Sequence, residues 1–113
     1  MIASSTTAPA LLATLFRGLA DPARLSCLLT VRTRPCTVNE VVAVTGLSQP
    51  NVSKHLACLR DCGLVLASRS GRYVSYQLAN QRVEALLQQA ERLLVDVGAS
   101  VAACPNYGEE NQE

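Results

Sequence analysis

Between Ser48 and Gly63 the chain reads SQPNVSKHLACLRDCG, a stretch that leaves little freedom about what it forms. Ser48 can cap a helix. Pro50 falls in a first turn, where a missing N–H costs little because no intrahelical acceptor awaits it. Gly63 supplies the left-handed conformation that closes a helix. On a wheel of about 100° per residue, Val52, Leu56 and Leu59 share one face, which must pack inward. Ser53, Lys54, Ala57 and Arg60 fall on another face and are expected to stay wet. Cys58 and Cys62, four residues apart, stand one above the other at the edge of the apolar face. One short helix thus offers a polar, basic surface bordered by a thiol pair. It reads as a DNA-recognition helix carrying half of a metal site.

The flanking sequence supports that reading. Residues 1–7 are small and polar and are expected to fray. Leu11, Leu12, Leu15, Phe16 and Leu19 recur at helical spacing and predict a first helix over about residues 8–20. Asp21-Pro22 is an N-cap followed by proline, so a second helix starts there. It carries Leu25, Leu28, Leu29 and Val31 and should stop before Pro35. Thr37 to Glu40 has the pattern of a capping box for a short third helix that ends at Gly46. Two short helices joined by a tight glycine-containing turn, the second opening with polar residues, fit a helix-turn-helix.

Beyond Gly63 the period changes to two. Leu64–Leu66 and Tyr73–Leu78 read as strands, and Ser68–Arg72 as the loop of a hairpin bearing Arg69 and Arg72. A last helix over about residues 81–101 carries Val83, Leu86, Leu87, Ala90, Leu93, Leu94 and Val97. That stripe is wide for a helix with one neighbour, so it is assigned with the first helix to a dimer interface. The expected fold is mainly α with a β-hairpin wing: a winged helix-turn-helix, homodimeric through its first and last helices. Residues 1–103 form the DNA-binding and dimerisation domain, and residues 104–113 an acidic tail.

Composition narrows the class. The 113 residues are 49% hydrophobic, but aromatics are scarce and tryptophan is absent, so the core must rest on Leu, Val and Ala. A core of that size is marginal alone, which favours an obligate dimer. Net charge is only +1. Residues 1–103 nonetheless hold all ten Lys/Arg against six Asp/Glu, while the tail holds Glu109, Glu110 and Glu113. A mildly basic centre suits nucleic acid. No apolar run approaches the ~20 residues of a membrane span, and no secretory leader is apparent, so a cytoplasmic place without a membrane partner is expected. In a reducing compartment, Cys27, Cys36, Cys58, Cys62 and Cys104 read as buried, reactive or metal-binding residues rather than a disulfide framework.

The blocks LADPARL, LSQPNVSKHLACLRDCGLV and GRYVSYQL, in this order of elements, resemble the ArsR/SmtB family of bacterial metal- and metalloid-responsive repressors over roughly residues 10–100. The resemblance implies a homodimer on a two-fold operator, released when an inducer binds. It implies that Ser48, Gln49, Asn51, Ser53, Lys54 and His55 face DNA and that Arg69 and Arg72 meet wing phosphates. Ser, Asn and Gln can reach base edges, and Lys and Arg supply the salt-dependent phosphate term. Two family sites are missing: the place of the Cys-Val-Cys motif reads Val42-Ala43-Val44, and the last helix has no histidine. The remaining pattern, Cys58-x3-Cys62 with Cys104 in the tail, is similar to the CmtR-type cadmium/lead sensors, where the tail cysteine comes from the partner subunit. Three thiolates suit Cd(II) or Pb(II), with As(III), Hg(II) or Zn(II) as further inducers of such a set.

Blander readings stand beside these. Cys27 reads as core packing and Cys36 as a solvated loop thiol. His55 or Cys27 could add a fourth ligand. A redox-switched DNA-binding repressor would form a Cys58–Cys62 disulfide, awkward for helical i, i+4 geometry. A thiol enzyme would need a base and an orienting group, and His55 has no such partner in the sequence, so neither catalysis nor a small-molecule substrate is expected. A winged helix that binds only protein is the remaining alternative.

Overall fold

The computed structural model describes residues 7–106. The elements run α1 (Ala8–Leu19), α2 (Pro22–Thr33), β1 (Cys36–Thr37), α3 (Val38–Thr45), α4 (Gln49–Asp61), β2 (Val65–Ser70), β3 (Tyr73–Leu78) and α5 (Gln81–Ala102). The chain divides into two compact units, Met1–Asn80 and Gln81–Glu113. The first is the winged helix-turn-helix; the second holds α5. The acidic residues of the expected tail lie outside the described residues, as do residues 1–6 of the segment expected to fray.

Local chemistry sets the helix ends. Asp21 caps α2 by accepting from the Ala23 N–H at 2.9 Å, with Pro22 in the first turn. Thr37 and Glu40 complete the capping box: the Thr37 hydroxyl accepts from the Glu40 N–H at 3.2 Å, and the Glu40 carboxylate accepts from the Thr37 N–H at 2.8 Å. Gly46 closes α3 in the left-handed region, φ 75°. Ser48 caps α4, accepting from the Asn51 N–H at 3.3 Å. At its other end Gly63 turns left-handed (φ 82°), donating to the Arg60 carbonyl while Leu64 donates to that of Leu59. These two bonds satisfy carbonyls that the last turn would otherwise orphan.

Within the first unit α2 packs on α4 and α3. Leu28, Val31, Val41, Val52, Leu56 and Leu59 are all at most 1% exposed. The inward face predicted for α4 is therefore the core face. Cys27 is also core, fully buried. The three-stranded antiparallel sheet has the order β1-β3-β2.

Several details depart from expectation. Thr7 is not part of a frayed end: its hydroxyl accepts from the Ala10 N–H and caps α1. Leu29 is 38% exposed, because the core stripe of α2 runs through Cys27, Leu28 and Val31 instead. Ala57 is half-buried rather than fully wet. The hairpin loop is only Gly71-Arg72. The ladder continues through Ser68↔Ser75, Arg69↔Val74 and Ser70↔Tyr73, since Gly71 alone provides the positive φ (62°) that so tight a turn requires. Cys36 is not a solvated loop thiol. It is 2% exposed, pairs with Tyr76 in β1, and its thiol donates to the Arg34 carbonyl at 3.3 Å.

The capping box gives a pH-dependent prediction. The hydrogen bond from the Thr37 N–H, and then the nearby Arg34, hold the Glu40 carboxyl below its usual range, with burial opposing. A depressed carboxylate contributes stability above its unfolded pKa and loses it as pH falls through the lower folded value. The stability gap between wild type and Glu40→Gln, measured by urea unfolding, should be present at pH 7 and vanish below the ordinary glutamate range. Thr37→Ala should cost about 1 kcal/mol by the same measurement. A gap independent of pH would contradict this account of Glu40.

Candidate functional site

Because Val52, Leu56 and Leu59 anchor α4, its opposite side is presented to solvent. Ser48, Gln49, Asn51, Ser53 and Lys54 are all exposed. His55 differs from these: it is half-buried, and its Nδ1 is buried without a hydrogen-bond partner. Ser48 spends its oxygen lone pair on the cap, which leaves its hydroxyl proton for another acceptor. Arg69 lies in β2 and Arg72 in the hairpin turn, both exposed. An open groove of about 450 Å³ runs between the wing and the start of the helix-turn-helix, lined by Thr37, Asn39, Glu40, Gln49, Arg72 and Tyr73 among others. The wing arginine and the first turn of α4 thus border one concavity. Antiparallel pairing of β1 with β3 holds them there, tying the wing to the strand that leads into α3. The acidic member, Glu40, is occupied by the capping box and by Arg34 at 3.5 Å.

The thiol pair stands at the other end of α4. Cys58 is half-buried and Cys62, the C-cap, is exposed. The two residues stand one turn apart on the same side of α4, close enough for Cys58 to raise the pKa of the Cys62 thiol. The Cys62 N–H also donates to the Cys58 carbonyl at 3.0 Å, which holds the two residues in register. The Cys62 thiol is pushed up, first by partial burial of the sulfur, then by its neighbour Cys58; Arg24 opposes this and Asp61 adds to it. Two adjacent thiols that resist joint ionisation as a bare pair are suited to a soft cation that compensates both negative charges. Cys104 follows α5 in the other unit, half-buried, with its N–H donating to the Val101 carbonyl. Among the described residues, no three His, Cys, Asp or Glu side chains of one chain gather as a metal cluster. Cys58 and Cys62 belong to the first unit and Cys104 to the second. Arg24 of α2, which no motif singled out, is near enough to Cys62 for its charge to act there, a proximity that follows from α2 packing on α4 and that spacing along one chain does not signal.

A family model described as "Bacterial regulatory protein, arsR family" matches residues 21–66, which span α2 to the start of β2. A probable mercury resistance operon repressor of Streptomyces lividans is 41% identical over 107 residues, covering 92% of this chain and 86% of that protein. The chain belongs to the ArsR family. The transcriptional regulator CmtR of Mycobacterium tuberculosis is 41% identical over 86 residues, covering 76% of this chain and 73% of CmtR. In structure, the chain is similar to a homodimeric winged helix-turn-helix DNA-binding domain of Mycobacterium bovis: TM-score 0.69, 28% identity, 86% of this chain and 92% of that one. This member of the family is thus a winged helix-turn-helix transcriptional regulator of the metal-responsive repressor type. No helix among its described residues is long and apolar enough to cross a membrane.

Burial separates the cysteines of this ArsR-family chain into two classes. Cys27 and Cys36 are covered, and burial pushes both thiols up. Alkylation of the folded protein with mass mapping should modify Cys62 well before Cys27 or Cys36, which should react only on unfolding. Equal rates at all three would contradict the described packing.

Proposed function

We propose that this chain is a repressor that holds a two-fold operator as a homodimer and lets it go when a soft divalent ion binds Cys58, Cys62 and Cys104. The observation that carries the reading is the i, i+4 thiol pair, Cys58 and Cys62, at the end of the helix whose other face is exposed, polar and basic. Cd(II) and Pb(II) suit three sulfur donors. Hg(II) is equally soft and is favoured by the name of the Streptomyces relative. The donor chemistry fits the ion, since Cys62 is exposed and half-buried Cys58 stands one turn before it on α4.

Each residue has its own part. Val52, Leu56 and Leu59 hold α4 in place. Gln49, Asn51 and Ser53 reach base edges, while Lys54, Arg69 and Arg72 neutralise phosphates. Ser48 orders the first turn of α4, and His55 stands at the border between core and DNA. Cys58 and Cys62 bind the ion at the end of α4, with Cys104 of either subunit closing the set. A bound ion ties the recognition helix to the segment after α5 and thereby biases its position against the spacing of two half-sites. The dimer is formed through α1 and α5. Leu11, Leu12 and Phe16 on α1 are 42–52% exposed in one chain, and Leu93 and Leu94 on α5 are 53–59% exposed. Apolar side chains at that density call for a partner surface, and the M. bovis domain of similar fold is homodimeric.

Titrating DNA from upstream of the gene tests this. Cd(II), Pb(II) or Hg(II) should lower operator affinity by about 5–150-fold, the range of a coupling of ~1–3 kcal/mol. Cys58→Ser, Cys62→Ser and Cys104→Ser should each abolish the response while leaving metal-free binding intact. Release by oxidant alone, with no response to ions, would overturn the reading in favour of a redox switch. Lys54→Ala should weaken binding and reduce the salt slope by about 1. An unchanged slope would remove Lys54 from the phosphate contacts.

A further inference from the structure

The open groove of about 450 Å³ beside the wing is walled by three elements that are far apart in sequence. α3 contributes Asn39 from its first turn, α4 contributes Gln49, and the hairpin contributes Arg72 and Tyr73. Half-buried Val38 and Val74 line it as well. Pairing of Thr37 with Ser75 fixes the spacing between the α3 wall and the wing wall. Asn39, Gln49, Arg72 and Tyr73 are all exposed, Tyr73 by 64%. None of these four side chains is engaged in a hydrogen bond or ion pair among the described residues. Each carries an N–H or O–H donor. The one carboxylate on the wall, Glu40, already accepts from the Thr37 N–H and lies 3.5 Å from Arg34.

We propose that this groove seats one strand of the operator's sugar-phosphate backbone, with Asn39 and Tyr73 donating to its phosphate oxygens beside Arg72. This rests on the reading that α4 and the wing bind DNA, and it adds two residues outside the recognition helix and the basic charge of the wing. Three observations select that occupant. The groove is continuous with the exposed face of α4, because Gln49 belongs to both. Its unengaged side chains all offer donors, and Arg72 is the one charge on the wall without a compensating partner, which suits a chain of anionic acceptors. The Tyr73 ring and the two valines offer apolar surface to the deoxyribose between successive phosphates. The contact carries no base information. It sets the register in which Gln49, Asn51 and Ser53 meet base edges.

The test uses the full chain, DNA from upstream of the gene and an unrelated duplex of equal length. Asn39→Ala and Tyr73→Phe should each weaken binding about three- to tenfold on both duplexes, the scale of one hydrogen bond. Neither removes a charge, so the salt slope should stay unchanged, in contrast to Lys54→Ala. Asn39→Asp should weaken binding further, although an acidic residue in the first turn of α3 favours the helix and should not lower the unfolding temperature. A purely structural Asn39 would give the opposite order. Neutral methylphosphonates, placed one at a time along the operator, should locate a phosphate whose replacement costs wild type affinity and costs Asn39→Ala nothing more. Wild-type affinity in either Asn39→Ala or Tyr73→Phe, or losses confined to the operator, would overturn the groove contact. If wild type binds neither duplex, the DNA-binding reading fails and takes this inference with it. If Lys54→Ala weakens binding while the groove variants bind as wild type does, the inference fails by itself.

Discussion

The packing of α4 on α2 is the constraint on which the other features depend. Val52, Leu56 and Leu59 are buried on one side, with Leu28 and Val31 among the core residues of α2. A helix pinned along one face has no choice about the other. Gln49, Asn51, Ser53 and Lys54 must point to solvent, and Cys58 and Cys62 must fall at the rim. Substituting one of these leucines with alanine in a closely packed interior removes about 2–5 kcal/mol, a large share of the stability of a domain of this size.

This arrangement places two chemistries at opposite ends of one rigid element. The first turns of α4 share a groove with the wing, while its C-cap residue is a thiol. A helix of 13 residues transmits a displacement of its end far better than a loop would, because its backbone hydrogen bonds resist bending. In the proposed mechanism, the ion therefore acts on DNA affinity without touching DNA. The energy needed is small. A few kcal/mol of difference between two positions of α4 is enough to empty an operator.

Much of this was legible in the residue order. Ser48, Pro50 and Gly63 mark the ends of the central helix, and Asp21-Pro22, Thr37-x2-Glu40 and Gly46 mark those around it. These signals act over three or four residues, which is why reading along the chain captures them. Contacts made across the chain left no such trace. Cys36 looked like a loop thiol because a two-residue strand has no periodicity, yet pairing with Tyr76 buries it. The wing looked shorter than it is because Ser68, Arg69 and Ser70 are weak strand formers that β3 holds in register. Arg24 looked like an ordinary helix arginine for the same reason. The thiol pair was legible from its i, i+4 spacing, whereas its third partner came from a resemblance and not from any spacing.

The central claim is that thiols at the end of the recognition helix, and not another donor set, hold the inducing ion. X-ray absorption at the metal edge of the Cd(II)-loaded dimer, without DNA, counts the sulfur neighbours directly. The account predicts three sulfurs in wild type and a loss of one in Cys104→Ser. A first shell of nitrogen and oxygen in wild type, or an unchanged sulfur count when Cys58 and Cys62 are both replaced by serine, would contradict it.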